Sequence, residues 1–158
     1  MLTGMKKNFE RDGIIRPIAF FLHKFPVDEK FPEGVPPTPT IIPIDEYLND
    51  VDWKKGLSYT MHKMCENPML LAAGIIAEAN YTMFNNNDEL GKLILSGALK
   101  INELKNKNDI IMMIFGTPIE EEIFIYGVDI KNKTVGERYP ETNEFGGLLT
   151  NLFGWNKN

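Results

Sequence analysis

Met69-Leu70-Leu71-Ala72-Ala73-Gly74-Ile75-Ile76-Ala77-Glu78-Ala79-Asn80-Tyr81-Thr82-Met83-Phe84 is the stretch on which the fold turns. Residues 69–77 are almost wholly apolar, as in a central strand covered on both faces. From Glu78 onward the pattern alternates, with Glu78, Asn80 and Thr82 set against Ala79, Tyr81 and Met83. That period of two belongs to a half-exposed strand. A buried helix also fits, with Asn67 as cap and Pro68 at the first helical position. The alanines favour the helix and the alternation favours the strand. We read the stretch as a strand.

Downstream, Asn85-Asn86-Asn87-Asp88 reads as a loop. Residues 89–105 are weakly helical, with Leu90, Leu93, Ile94, Ala98 and Ile101 on one side and Gly91 and Gly97 as interruptions. Ile110–Phe115, Glu122–Ile130 and Thr134–Tyr139 then read as three strands, separated by Gly116-Thr117-Pro118 and Lys131-Asn132-Lys133. Together they predict an antiparallel meander.

Upstream, Asp45 looks like an N-cap for one helix of about five turns ending at Glu66. Trp53, Leu57, Met61 and Met64 have the three-and-four spacing of its buried face, and Asn67-Pro68 stops it. Six of the ten prolines fall in a loop at 26–43, in which Thr40-Ile41-Ile42 reads as a short strand. A further strand is predicted at residues 14–22, with Pro17 placing its start at an edge or bulge. Residues 1–8 read as a loose leader.

The fold class expected is α+β. It has a mainly antiparallel sheet of about five strands, one long amphipathic helix packed on one face, and room for a second, short helix at 89–105. No repeat or linker interrupts the chain, so residues 1–158 read as a single domain. Gly146-Gly147 opens an apolar tail at 147–158, which is unusual because chain ends are normally frayed and polar.

A net charge of −5 and a shortage of arginine (Arg11, Arg16 and Arg138 only) weigh against nucleic acid as a partner. Cys65 is the only cysteine, so no internal disulfide forms, which fits a reducing, cytoplasmic location. No signal-peptide run and no membrane-length apolar stretch is present. Phosphate-binding, dinucleotide, zinc-protease and nucleophile-elbow motifs are all absent, and no cofactor or metal is expected.

Glu78 is the leading catalytic candidate. It closes an apolar run, where desolvation raises a carboxyl pKa toward general-base chemistry. The plainer reading makes it the first solvent-facing residue of an amphipathic strand. His62 and Cys65, three apart on the predicted helix, could form a thiol–imidazole pair. Against that, Cys65 follows Met61 on the apolar face, where a free cysteine packs as a small hydrophobe. Glu120-Glu121-Glu122 could attract a hard cation, but successive strand residues point to opposite faces. His23 has no visible partner in the sequence. Leu148, Leu149, Leu152, Phe153 and Trp155 are candidate partner-binding residues in the tail. The plainer reading, which we favour, packs them on the chain's own sheet.

Three segments resemble pieces of small uncharacterised proteins encoded by bacteriophages and mobile elements. They are Asp12-Gly13 with Pro17–Leu22, Ile76-Ala77-Glu78-Ala79, and Glu121–Tyr126. The resemblance favours a strand over residues 70–84 and a phage-type origin, and implies no activity. The function expected is a non-enzymatic interaction protein, such as a phage or mobile-element accessory factor, that binds a protein partner or forms a homo-oligomer. The alternatives are a small hydrolase or nuclease using a carboxylate base, and a protein that sequesters a small ligand or nucleotide under the proline loop.

Overall fold

Residues 70–76 are backed on both sides by other strands, and this selects strand over helix for the deciding stretch. The computed structural model describes residues 2–24, 37–48, 52–82, 84–140 and 153–155. Among these, six strands form one antiparallel sheet: β1 (Ile18–His23), β2 (Thr38–Pro43), β3 (Leu70–Tyr81), β4 (Asn108–Gly116), β5 (Glu121–Asp129) and β6 (Thr134–Arg138). Their order is β2-β1-β3-β4-β5-β6. The meander is therefore present. The count of about five strands is corrected to six, because Thr38–Pro43 pairs along its whole length with β1.

The helices depart further from expectation. Residues 2–12 form helix α1 (Leu2–Asp12), where a loose leader was expected. Met5 and Phe9, one turn apart, are its buried anchors. The single long helix is instead two, α2 (Asp45–Leu48) and α3 (Trp53–Cys65). In α3, Leu57, Met61 and Cys65 form the buried stripe. A fourth helix, α4 (Glu89–Leu95), and a 3₁₀ turn (Ile101–Glu103) fill the connection from β3 to β4. Of the proline-rich segment, residues 25–36 lie outside the described residues. So do 141–152 and 156–158, which hold most of the apolar tail.

The chain divides into two compact units, each discontinuous in sequence. One draws on residues 16–77, 113–124 and the C-terminal residues from 140. Its core includes Phe20, Phe21, Leu57, Met61, Ala73, Ile75, Ile114 and Phe153. Phe20 pairs with Gly74 across β1 and β3. A Cβ on Gly74 would stand 2.1 Å from the Phe20 ring and 2.7 Å from the Ile114 carbonyl oxygen. The Phe20 ring also stacks on Phe115, with centroids 6.1 Å apart. The register of β1 against β3 slips between Leu22 and His23, where Leu71 is the extra residue.

The other unit draws on residues 1–15, 78–112 and 125–139. Here α1 lies along β6, with the Lys6 ammonium over the Tyr126 ring at 5.1 Å. The Gly13 N–H closes α1 onto the Phe9 carbonyl at 2.7 Å. Tyr81 and Tyr139 meet at 5.3 Å between ring centroids. No helix among the described residues is long and apolar enough to cross a membrane.

Candidate interaction surface

The connection between β3 and β4 is ordered but poorly buried. Asp88 starts α4 by accepting the Gly91 N–H at 2.6 Å. Gly91 is the only buried residue of the helix, and it lies so close to the preceding loop that a Cβ would stand 2.0 Å from the Asn85 carbonyl oxygen. Gly97 adopts a left-handed φ of 75° and ends the helix, donating its N–H to Ile94 at 3.0 Å. The arm that results spans residues 89–104. It carries Leu90, Leu93, Ile94, Leu95, Leu99, Ile101 and Leu104, and not one of the seven is buried. Single exposed apolar residues are ordinary on a protein surface. Of the seven in these sixteen consecutive residues, Leu90, Leu93 and Leu95 are exposed and the other four are half-buried, so the arm carries a partly exposed apolar run.

A second exposed apolar feature stands on the β4–β5 turn. Ile119 is 89% exposed. The turn beneath it is tightly knit. The Thr117 N–H donates to the Glu120 carbonyl at 2.8 Å. The Thr117 hydroxyl oxygen accepts from the N–H groups of Ile119 at 3.3 Å and Glu120 at 3.2 Å.

The residues singled out from the sequence are scattered. Glu78 is exposed, and its carboxylate accepts the Ile15 N–H. The burial on which the general-base reading rested is absent. Near it, Asp109 accepts from the Asn80 amide at 3.0 Å. Asp129 accepts from the Asn132 N–H and amide at 2.9 and 2.7 Å, and these bonds hold its carboxyl below the usual range. Asp109 and Asp129 line an open groove of about 350 Å³ over Gly127 and Gly136. Both carboxylates are thus committed to neighbours within the chain.

His62, Cys65, Phe153 and Trp155 do come together. Phe153 is 1% exposed and lies where a Cβ on Gly116 would stand 2.6 Å from its ring. The Trp155 indole N–H donates to the Cys65 carbonyl at 3.1 Å. A Cβ on Gly154 would stand 2.8 Å from the His62 ring. Phe153 and Trp155 therefore pack on their own unit. Leu148, Leu149 and Leu152 lie outside the described residues. Burial, together with the charge of Glu121, pushes the Cys65 thiol up to about 12. A thiol held protonated in this way is a poor nucleophile, which opposes the thiol–imidazole reading.

Burial also pushes the Glu121 carboxyl up. No group of three or more His, Cys, Asp or Glu among the described residues could hold a metal ion. His23 is half-buried, its ring tilted against Phe21 at 6.5 Å. Neither the arm nor Ile119 stood out as a site in the sequence, because periodicity marks an apolar face without telling whether anything covers it.

The fold is thus α+β, an open antiparallel sheet with helices. The chain matches no protein-family model, no curated protein and no solved structure.

Proposed function

We propose that the protein is a non-enzymatic interaction protein whose contact surface is the arm at residues 89–104. The observation that carries this is the run of seven apolar side chains, three exposed (Leu90, Leu93, Leu95) and four half-buried, on a segment anchored at Asp88 and Gly91. An ordered surface of this kind loses little conformational entropy on binding. Burying it removes apolar area from water at roughly 25 cal/mol per Å². The candidate catalytic groups supply no rival constellation among the described residues: Glu78 is exposed and bonded to Ile15, and the Cys65 thiol stays protonated. The likeness of three segments to phage and mobile-element proteins supports an accessory role of that kind.

A photo-crosslinking residue at position 93 tests this reading in cells that express the full chain, with position 59 as control. Tyr59 is 65% exposed but lies outside the arm. A discrete adduct at 93 and none at 59 is the expected result. No adduct at 93 removes the arm as a contact surface.

A further inference from the structure

Phe153, Gly154 and Trp155 lie across the C-terminal end of α3 and the end of β4, and each has its own fit there. The Phe153 ring fills the space that a Cβ on Gly116 would need; that Cβ would stand 2.6 Å from it and 3.1 Å from the Trp155 ring. Gly154 has a left-handed φ of 68° and no room for a Cβ beside the His62 ring. The Trp155 indole N–H bonds to the Cys65 carbonyl.

Glu121 belongs to the same layer, because of the register of the β4–β5 hairpin. The Thr117 N–H bonds to the Glu120 carbonyl, so these two are cross-strand partners and Gly116 stands opposite Glu121. Directly opposed residues of an antiparallel pair direct their side chains to one face. The Glu121 side chain therefore leaves the sheet on the face where the two rings cover Gly116. Its charge acts on Cys65, the residue whose carbonyl holds Trp155.

We propose that residues 153–155 form a pH-sensitive latch, closed while the Glu121 carboxyl is neutral and loosened when it ionises. A carboxylate beside two aromatic rings loses hydration without gaining a partner. Glu121 is half-buried, and burial raises its pKa above 4.5 with no offsetting cation or donor among the described residues. On α3 the Cys65 thiol stays protonated to about 12, Lys63 and Glu66 pair with each other at 3.0 Å, and His62 lies against Gly154. Residues 153–155 carry no ionisable side chain. The next residues of β5 on that face, Ile123 and Ile125, are apolar, and Glu120 and Glu122 alternate to the other face. With the rings withdrawn, Glu121 regains water and its ordinary pKa. Closure is therefore complete below pH 4.5 and weakens as pH rises through the closed-state value. The opening is local, so the sheet stays intact.

Hydrogen exchange of the Trp155 indole N–H in the full chain reads the latch, its resonance identified by its loss in Trp155→Phe. Protection relative to a free tryptophan peptide at the same pH should fall several-fold from below pH 4.5 to pH 7. Glu121→Gln and Glu121→Ala should each hold protection at its low-pH level throughout. The Ile75 amide, in a strand paired on both sides, should keep its protection. Indole protection that does not change with pH overturns the latch. A fall that persists in the Glu121 variants also overturns it, assigning the transition to another group such as His62. A parallel loss at Ile75 overturns it as well, because the event would then be unfolding of the whole unit.

Discussion

The indole N–H of Trp155 donates to the carbonyl oxygen of Cys65 at 3.1 Å. That carbonyl sits in the last turn of α3, where no further helical N–H is available to it. A residue three from the chain's end thus satisfies an orphaned group of the long helix, while Phe153 fills the space above Gly116. These two aromatic residues act as core of their unit, and their substitution is expected to cost stability. Phe153→Ala should lower the unfolding free energy by about 3–5 kcal/mol, as for other buried phenylalanines. Trp155→Phe keeps a ring but removes the donor, at a cost of about 1 kcal/mol. Urea unfolding measures both. A Phe153→Ala variant as stable as wild type would show that Phe153 is not core.

The Cys65 thiol lies in the same neighbourhood, and its pKa yields a pH dependence of known sign. Folded, it sits at about 12 against 9.0 for an ordinary thiol. A raised pKa means that the folded chain keeps its proton longer than the unfolded one. The stability associated with Cys65 is therefore complete below pH 9.0 and drains away as pH rises toward 12. Cys65→Ala lacks this loss, so the stability difference between variant and wild type should shift in the variant's favour above pH 9.0. Alkylation at pH 8 should be slow in the folded chain and fast in the Phe153→Ala variant. Equal rates in the two would contradict a thiol protected by packing.

Glu121 is expected to show the opposite pH dependence from a carboxylate held by a cationic partner. Burial raises its pKa above the ordinary 4.5, so ionisation at neutral pH works against the fold. The contribution is favourable below pH 4.5 and is lost as pH rises through the folded value. Glu121→Gln removes the charge without changing the shape. It is expected to stabilise the protein at pH 7 and to lose that advantage below pH 4.5. Thermal melts at the two pH values decide. A variant less stable at pH 7 would mean that the carboxylate has a favourable partner there.

Much of this architecture is legible in the sequence because its signals are local. The three strands of the meander are bounded by turn residues, and β4 and β5 alternate or run apolar as strands should. Segment 69–84 gives itself away only after Ile76, where alternation begins. Before that, both faces are buried and periodicity carries no information. Helix α1 escapes notice because only Met5 and Phe9 anchor it, among lysines, Asn8 and Glu10. The edge strand β2 is legible only in part, at Thr40-Ile41-Ile42, because Pro39 and Pro43 argue against a strand although their missing donors matter only on a paired side. The docking of Phe153 on Gly116 joins residues far apart in sequence, so no window of neighbours contains it. For the arm the difficulty is reversed. Its apolar residues are visible in the sequence, but the sequence does not say that the chain leaves Leu90, Leu93 and Leu95 exposed.

Gly74 fixes the closest approach in the sheet. A methyl there would stand 2.1 Å from the Phe20 ring and 2.7 Å from the main-chain oxygen of Ile114. The ring can swing aside at some cost, but the backbone cannot. Gly74→Ala is therefore expected to destabilise by about 3 kcal/mol or more, at the upper end of overpacking effects. Phe20→Leu should rescue only part of the loss, because it clears the ring and leaves the carbonyl. Full rescue in the double variant would show that the Ile114 oxygen yields easily.

Glu78 is where the structural and the catalytic readings predict different measurements. Its carboxylate accepts the Ile15 N–H, tying the segment after α1 to β3. A charge-assisted bond at an exposed site is worth about 1–2 kcal/mol. Glu78→Ala removes the acceptor and should lower stability by about that amount. Glu78→Gln keeps an oxygen in place and should cost less than half as much. Hydrogen exchange at the Ile15 amide gives a local reading: protection should fall sharply in the alanine variant and only slightly with glutamine. A general base would behave otherwise. Glu78→Gln would then leave the Ile15 amide and overall stability unchanged, yet remove whatever hydrolysis the protein performs. Unchanged protection at Ile15 in Glu78→Ala would therefore return Glu78 to the list of candidate catalytic groups.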